Sequence, residues 1–171
     1  MEKTLLNIKL PVKDEPAAVQ QSMLDTANSF YQAGSRCEAN VKLSPNITNS
    51  LMGPSVVCYT FAVEIYLKLL LELNGVKPGK EHNLDKLYNQ LPDAVREKLI
   101  AHFGAKTSDL KNLIQTVARG FVEWRYSYEH SSLYSSLEAL AQLGKALHNT
   151  IRELHPAIKV TFENRLPGQG S

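Results

Sequence analysis

The chain has 171 residues, 43% hydrophobic and 21% charged, with a formal net charge of +2. This is room for one domain that buries its own core, and too little net charge to attract nucleic acid or membrane with the whole molecule, so an anion site must be local. Cys37 and Cys58 are too few for a disulfide framework and lack zinc-ligand spacing, which points to a reducing, cytoplasmic setting. Residues 1–14 hold no apolar run of signal-peptide length. Instead Leu6, Ile8 and Leu10 alternate with polar residues, an extended pattern.

A first helix is expected from Pro16 to about Val41. Val19, Met23, Ala27, Phe30, Cys37 and Val41 recur every three to four residues, and Pro16 follows acidic Asp14 and Glu15 at the positive end of the helix dipole. Residues 46–53 read as a polar loop. A second helix starts near Pro54-Ser55 and stops at Asn74-Gly75, a C-cap signal. Val56 to Leu73 is apolar apart from Thr60, Glu64, Lys68 and Glu72, which stand four residues apart in one stripe. Charges inside a membrane span cost roughly 2.5–3.5 kcal/mol each at its centre, so this is the central helix of a bundle rather than a transmembrane one. Glu64 and Lys68 have the favourable order for an ion pair one turn apart. The stripe must face a partner helix or a solvent cleft. Gly53-Pro54-Ser55 is a weak anion-site motif, better read as a plain helix start.

After a Gly/Pro/Lys loop over 76–81, two short helices follow. One spans Leu84 to Leu91 with Asn83 as N-cap, and the other Asp93 to Phe103 before Gly104. His82 is expected to pack under the first. The next helix takes Thr107 or Ser108 as N-cap, and Leu110, Leu113, Ile114, Val117, Phe121, Trp124 and Tyr128 predict one continuous face. A last helix starts at Ser131 or Ser132. Its seam runs through Leu133, Leu137, Leu140, Gly144, Leu147, Ile151 and Leu154, in the spacing of antiparallel packing. His148 and His155 stand at the edge of that seam. Ile158, Val160 and Phe162 alternate with polar residues. The two ends read either as a short β-ribbon or as extended tails on the bundle, with a frayed tail from Asn164.

The organisation expected is therefore an extended segment over 1–14, an all-α helical domain over 15–156, and an extended segment and disordered tail over 157–171. The chain has no glycine-rich phosphate loop, no His-Glu-x-x-His helix, no paired Cys-x-x-Cys and no Gly-x-Ser-x-Gly elbow. Its sharpest chemical feature is Trp124-Arg125-Tyr126-Ser127-Tyr128-Glu129-His130, where an arginine and a histidine stand five positions apart among aromatic residues. Arginine offers a permanently charged fork that fits phosphate oxygens, and histidine titrates near neutral pH. Taken singly, Arg125 also reads as a helix-surface partner of Glu129, and His130 as a residue at a helix C-terminus.

Phe61-Ala62-Val63-Glu64-Ile65-Tyr66-Leu67-Lys68, then His82-Asn83-Leu84-Asp85-Lys86-Leu87, then Phe121 to Glu129, in this order, resemble the HEPN family. The likeness covers roughly Pro16 to Leu154. It implies an up-and-down bundle of four to five helices, commonly a homodimer, and the Arg-x4–6-His motif with which many members cut RNA without metal or cofactor. Arg125 and His130 match that motif as the implied catalytic pair. His130 would move protons and Arg125 would hold the charge developing on phosphate. Glu64 would orient Arg125, and Glu64, Lys68, Tyr126 and Tyr128 form the implied substrate-binding set, with the tyrosines stacking bases of single-stranded RNA. The implied setting is a prokaryotic defence or toxin–antitoxin system with a cognate antitoxin. A non-catalytic module binding nucleotide, RNA or a partner protein remains the alternative.

Overall fold

The computed structural model describes residues 16–40, 52–104, 106–118 and 137–158. These residues are all-helical, with no strand among them. The helices are α1 (Pro16–Asn40), α2 (Met52–Leu73), α3 (Leu84–Asn89), α4 (Asp93–Phe103), α5 (Thr107–Thr116) and α6 (Leu137–Leu154). The extended patterns expected at the two ends lie outside the described residues, apart from a turn after α6 in which Ile158 N–H donates to His155 O at 3.1 Å.

Helix α2 is central. It packs against α1, α3 and α6, while α4 bridges α5 and α6. Its nearly all-round apolar sequence is the cause, since Val63, Leu67, Leu69, Leu70 and Leu71 are all fully buried. Each such side chain contributes about 1.5–3 kcal/mol on removal from water. The amphipathic helices close around it, burying Val95, Leu99 and Phe103 from α4, Leu110 and Ile114 from α5, and Leu140, Leu147 and Ile151 from α6.

Two close helix contacts depend on glycines. A Cβ on Gly144 would lie 2.7 Å from Cδ2 and Cε2 of Tyr31, and one on Gly34 would lie 2.9 Å from Cδ1 of Tyr59. Each tyrosine ring thus occupies a side-chain space that its glycine leaves open. The two rings meet at 5.3 Å between centroids, and Tyr31 Oη donates to Ala141 O at 3.1 Å. Ser55 Oγ donates to Gly34 O at 2.8 Å. Ser55 is thus consumed in joining α1 to α2, in keeping with a plain helix start at Gly53-Pro54-Ser55.

Helix ends follow the local signals closely. At the end of α2, Gly75 adopts φ 76°, Gly75 N–H donates to Glu72 O and Val76 N–H to Leu71 O, the paired bonds of a Schellman cap. Gly104, at φ 74°, ends α4. Two expectations are corrected. α5 is capped by Lys106, not Thr107 or Ser108, because Asp109 and Leu110 N–H both bond Lys106 O. It also stops at Thr116 rather than running on as one continuous face. Val117 has φ −102° and ψ 12°, and the Ala118 carbonyl accepts from Leu84 N–H at 2.9 Å. A tertiary bond to α3 thus lies just past the end of α5. Phe121, Trp124 and Leu133 lie outside the described residues.

Candidate functional site

The polar stripe of α2 is not uniform. Thr60 is fully buried, and its hydroxyl donates back to Val56 O at 2.9 Å, so it is satisfied within its own helix. Glu64, one turn on, is 2% exposed. Its Oε1 accepts from Lys68 Nζ at 2.9 Å and from His82 Nδ1 at 2.8 Å. Glu64 Oε2 is buried and has no hydrogen-bond partner among the described residues. A carboxylate in such a position is stable only while paired and hydrogen-bonded.

His82 reaches Glu64 from the loop between α2 and α3, and that loop is built to hold it. The Glu81 carboxylate accepts the backbone N–H groups of His82 at 3.0 Å and Asn83 at 2.9 Å. Those bonds, the Asn83 one foremost, hold the Glu81 carboxyl below its usual range. Asn83 in turn caps α3, its Oδ1 accepting from Lys86 N–H at 3.1 Å. The backbone of His82 is therefore fixed on both sides. The ring meets Glu64 through Nδ1, and Nε2 is the ring nitrogen that does not take part in this contact. The His82 side chain is 62% exposed, so it does not pack beneath α3. Glu64 and His82 thus form a carboxylate–imidazole dyad, with no bond to the second ring nitrogen among the described residues.

Of the expected site residues, Glu64 and Lys68 are brought together at bonding distance. Arg125, Tyr126, Tyr128 and His130 lie outside the described residues. His82, expected to be structural, belongs to the Glu64 cluster. Its signal in the sequence was its place beside the capping Asn83, in a loop returning toward α2.

A second polar cluster was not anticipated. Asn28 of α1 is 6% exposed, and its Oδ1 accepts from Tyr66 Oη at 2.6 Å and from His148 Nδ1 at 3.0 Å. Burial foremost, then Arg152, push the His148 imidazole below its ordinary value. Asn28 Nδ2 is buried with no partner among the described residues. The hint was His148 at the seam edge of α6, but its partner is 120 residues away. His155 lines an apolar groove of about 680 Å³ with Leu73, Leu154 and Ile158, remote in sequence from the dyad.

Among the described residues, no group of three His, Cys, Asp or Glu side chains is placed to hold a metal ion, and no helix is long and apolar enough to cross a membrane. Comparison with protein-family models, with curated proteins and with solved structures returns no match.

Proposed function

We propose that the chain is a HEPN-like, up-and-down helical bundle acting as a metal-independent endoribonuclease of a prokaryotic defence or toxin–antitoxin system, with Arg125 and His130 as its catalytic pair. The observation that carries this reading is the Glu64 carboxylate. One of its oxygens is engaged by Lys68 and His82, while the other is buried without a partner among the described residues. A buried anion with an unused oxygen calls for a cationic donor. Arginine is the best match, because one edge of its planar fork can hold a carboxylate while other N–H groups remain for a phosphate. Arg125 is the arginine that the resemblance assigns to this role.

The reach of the chain supports the same reading. Ala118 O is bonded to Leu84 N–H, beside the loop that carries His82. Arg125 follows Ala118 by seven residues, a span of at most about 25 Å even fully extended. In the reaction, His130 takes the proton of a ribose 2′-hydroxyl as it attacks the adjacent phosphate, and Arg125 stabilises the added charge. Tyr126 and Tyr128 stack the flanking bases. In this reading the chain is a cytoplasmic homodimer whose two motifs share one cleft, inhibited by a cognate antitoxin.

The test is incubation of the purified full chain with end-labelled RNA in excess chelator, beside His130→Ala. The expected result is cleavage by the parent and a loss of about 10²- to 10⁴-fold in the variant. RNA left intact by the parent, or cut equally fast by the variant, refutes catalysis. Retention of RNA or nucleotide without cleavage would establish the non-catalytic module instead.

A further inference from the structure

We propose that the outer edge of α6 formed by Lys145, His148 and Arg152 is a contact surface for single-stranded RNA, its two cations on backbone phosphates and His148 Nε2 accepting a ribose 2′-hydroxyl between them; the inference rests on the RNA-substrate reading above. The three residues share one side of the helix. At 3.6 residues per turn, Lys145 and Arg152 stand two turns and roughly 10 Å apart on nearly one line, and His148 lies between them, turned toward the core. Lys145 and Arg152 are exposed, and residues 144–152 contain no acidic side chain. Neither cation has an ion-pair partner among the described residues.

His148 is held as an acceptor. Its Nδ1 donates to Asn28 Oδ1 at 3.0 Å. Asn28 is itself fixed, because it is buried and the same oxygen accepts from Tyr66 Oη at 2.6 Å. The Tyr66 ring also meets the imidazole at a steep angle, 6.1 Å between centroids. An amide oxygen only accepts, so the ring proton sits on Nδ1. Burial, then Arg152, hold the imidazole below its ordinary value, so at neutral pH Nε2 keeps its lone pair. Nε2 has no bond among the described residues.

The edge therefore asks two different things of a ligand. The cations call for negative charge at two points, whereas the lone pair on Nε2 calls for a donor and repels a bare phosphate oxygen. RNA meets both demands, since each ribose 2′-hydroxyl is a donor flanked by backbone phosphates, and DNA has no such hydroxyl. The two contacts leave separate signatures. Each phosphate contact on a single strand adds about 0.7 to the steepness of log affinity against log salt. One hydrogen bond to a 2′-hydroxyl is worth about 3- to 10-fold in affinity.

The experiment titrates the full chain, in chelator, into two labelled single strands of one sequence. One is RNA, and the other is its fully 2′-fluoro analogue, which keeps the backbone charge but has no hydroxyl to donate. A denaturing gel sets conditions in which the RNA stays intact, and circular dichroism verifies folding of each variant. The parent should prefer RNA, and His148→Asn should cut that preference about 3- to 10-fold with the salt dependence unchanged. Asparagine can keep an amide N–H for Asn28 but has no atom in the place of Nε2. Lys145→Gln and Arg152→Gln should weaken binding of both strands together, and each should lower the salt slope by about 0.7 with the preference kept. A His148→Asn variant that retains the full preference would make His148 a clamp between α1 and α6 and overturn the proposal. Unchanged salt slopes in the Lys145 and Arg152 variants, or equal binding of both strands by the parent, overturn it too. If the parent binds neither strand, the RNA reading falls and this inference with it; if the parent binds RNA and the variants match it, only this inference falls.

Discussion

Removing the Glu64 carboxylate should be among the most damaging single changes in the chain, and the structure explains how much. The side chain is 3% exposed, and Oε1 receives two bonds, at 2.9 Å from Lys68 and 2.8 Å from His82. Hydrogen bonds to charged groups are worth about 1.5–3 kcal/mol each. His82 can turn to water, because its ring is exposed, but the Lys68 ammonium is largely enclosed. Glu64→Ala therefore leaves a positive charge in the interior without its counter-ion, a change that costs about 3–5 kcal/mol. The four-carbon stem of lysine lets the charge move toward solvent, so a loss of about 3 kcal/mol is expected. That is a large part of the 5–15 kcal/mol typical of a whole domain. Removing both charges should be milder: Glu64→Leu with Lys68→Leu fills the same space with apolar groups and should recover most of the loss. Urea unfolding followed by circular dichroism measures both. A Glu64→Ala cost below about 1 kcal/mol, the value of a surface pair, or a double variant no more stable than the single one, would refute the reasoning.

Gly144→Ala sets two effects against each other. The helix gains about 1 kcal/mol in propensity, but the new methyl meets the Tyr31 ring at 2.7 Å, and overpacking costs about 1–3 kcal/mol. Thermal unfolding should show net destabilisation that turns into stabilisation in a Tyr31→Ala background; stabilisation in the parent would disprove the close approach. Protonation of His148 should weaken the fold. Burial, then Arg152, keep its pKa in the folded state under the ordinary 6.5, so the unfolded chain binds that proton more readily. Stability is then unaffected above pH 6.5 and declines as pH falls from there toward the folded-state value. His148→Gln should flatten this slope in denaturant titrations, and an unchanged slope would show that another group carries it. His155, also lowered by burial, should add to the same slope, so pairing His155→Gln with His148→Gln flattens it further.

Local signals were legible because they act over one or two turns. Asn83 caps α3, Gly75 and Gly104 end α2 and α4 with positive φ, and Glu64 pairs with Lys68 four residues on. Each depends on backbone groups or side chains a few residues apart, which a sequence displays directly. The central position of α2 was legible too, since a helix greasy on nearly every side has to be enclosed. The end of α5 was not. Apolar spacing continues smoothly past Val117, and just beyond the helix end Ala118 O accepts a bond from Leu84, 34 residues earlier.

By itself, the sequence determined the all-α character of the described residues, most of their helix limits, and which helix would be central. Tertiary structure alone decided which side chains meet. His82 joins Glu64 across 18 residues, Asn28 joins His148 across 120, and Tyr31 settles over Gly144 on another helix. Helix formation is governed by hydrogen bonds to the fourth neighbour, so it can be read along the chain. A carboxylate–imidazole dyad needs two elements docked to within a few tenths of an ångström, and that follows only from how the whole core packs.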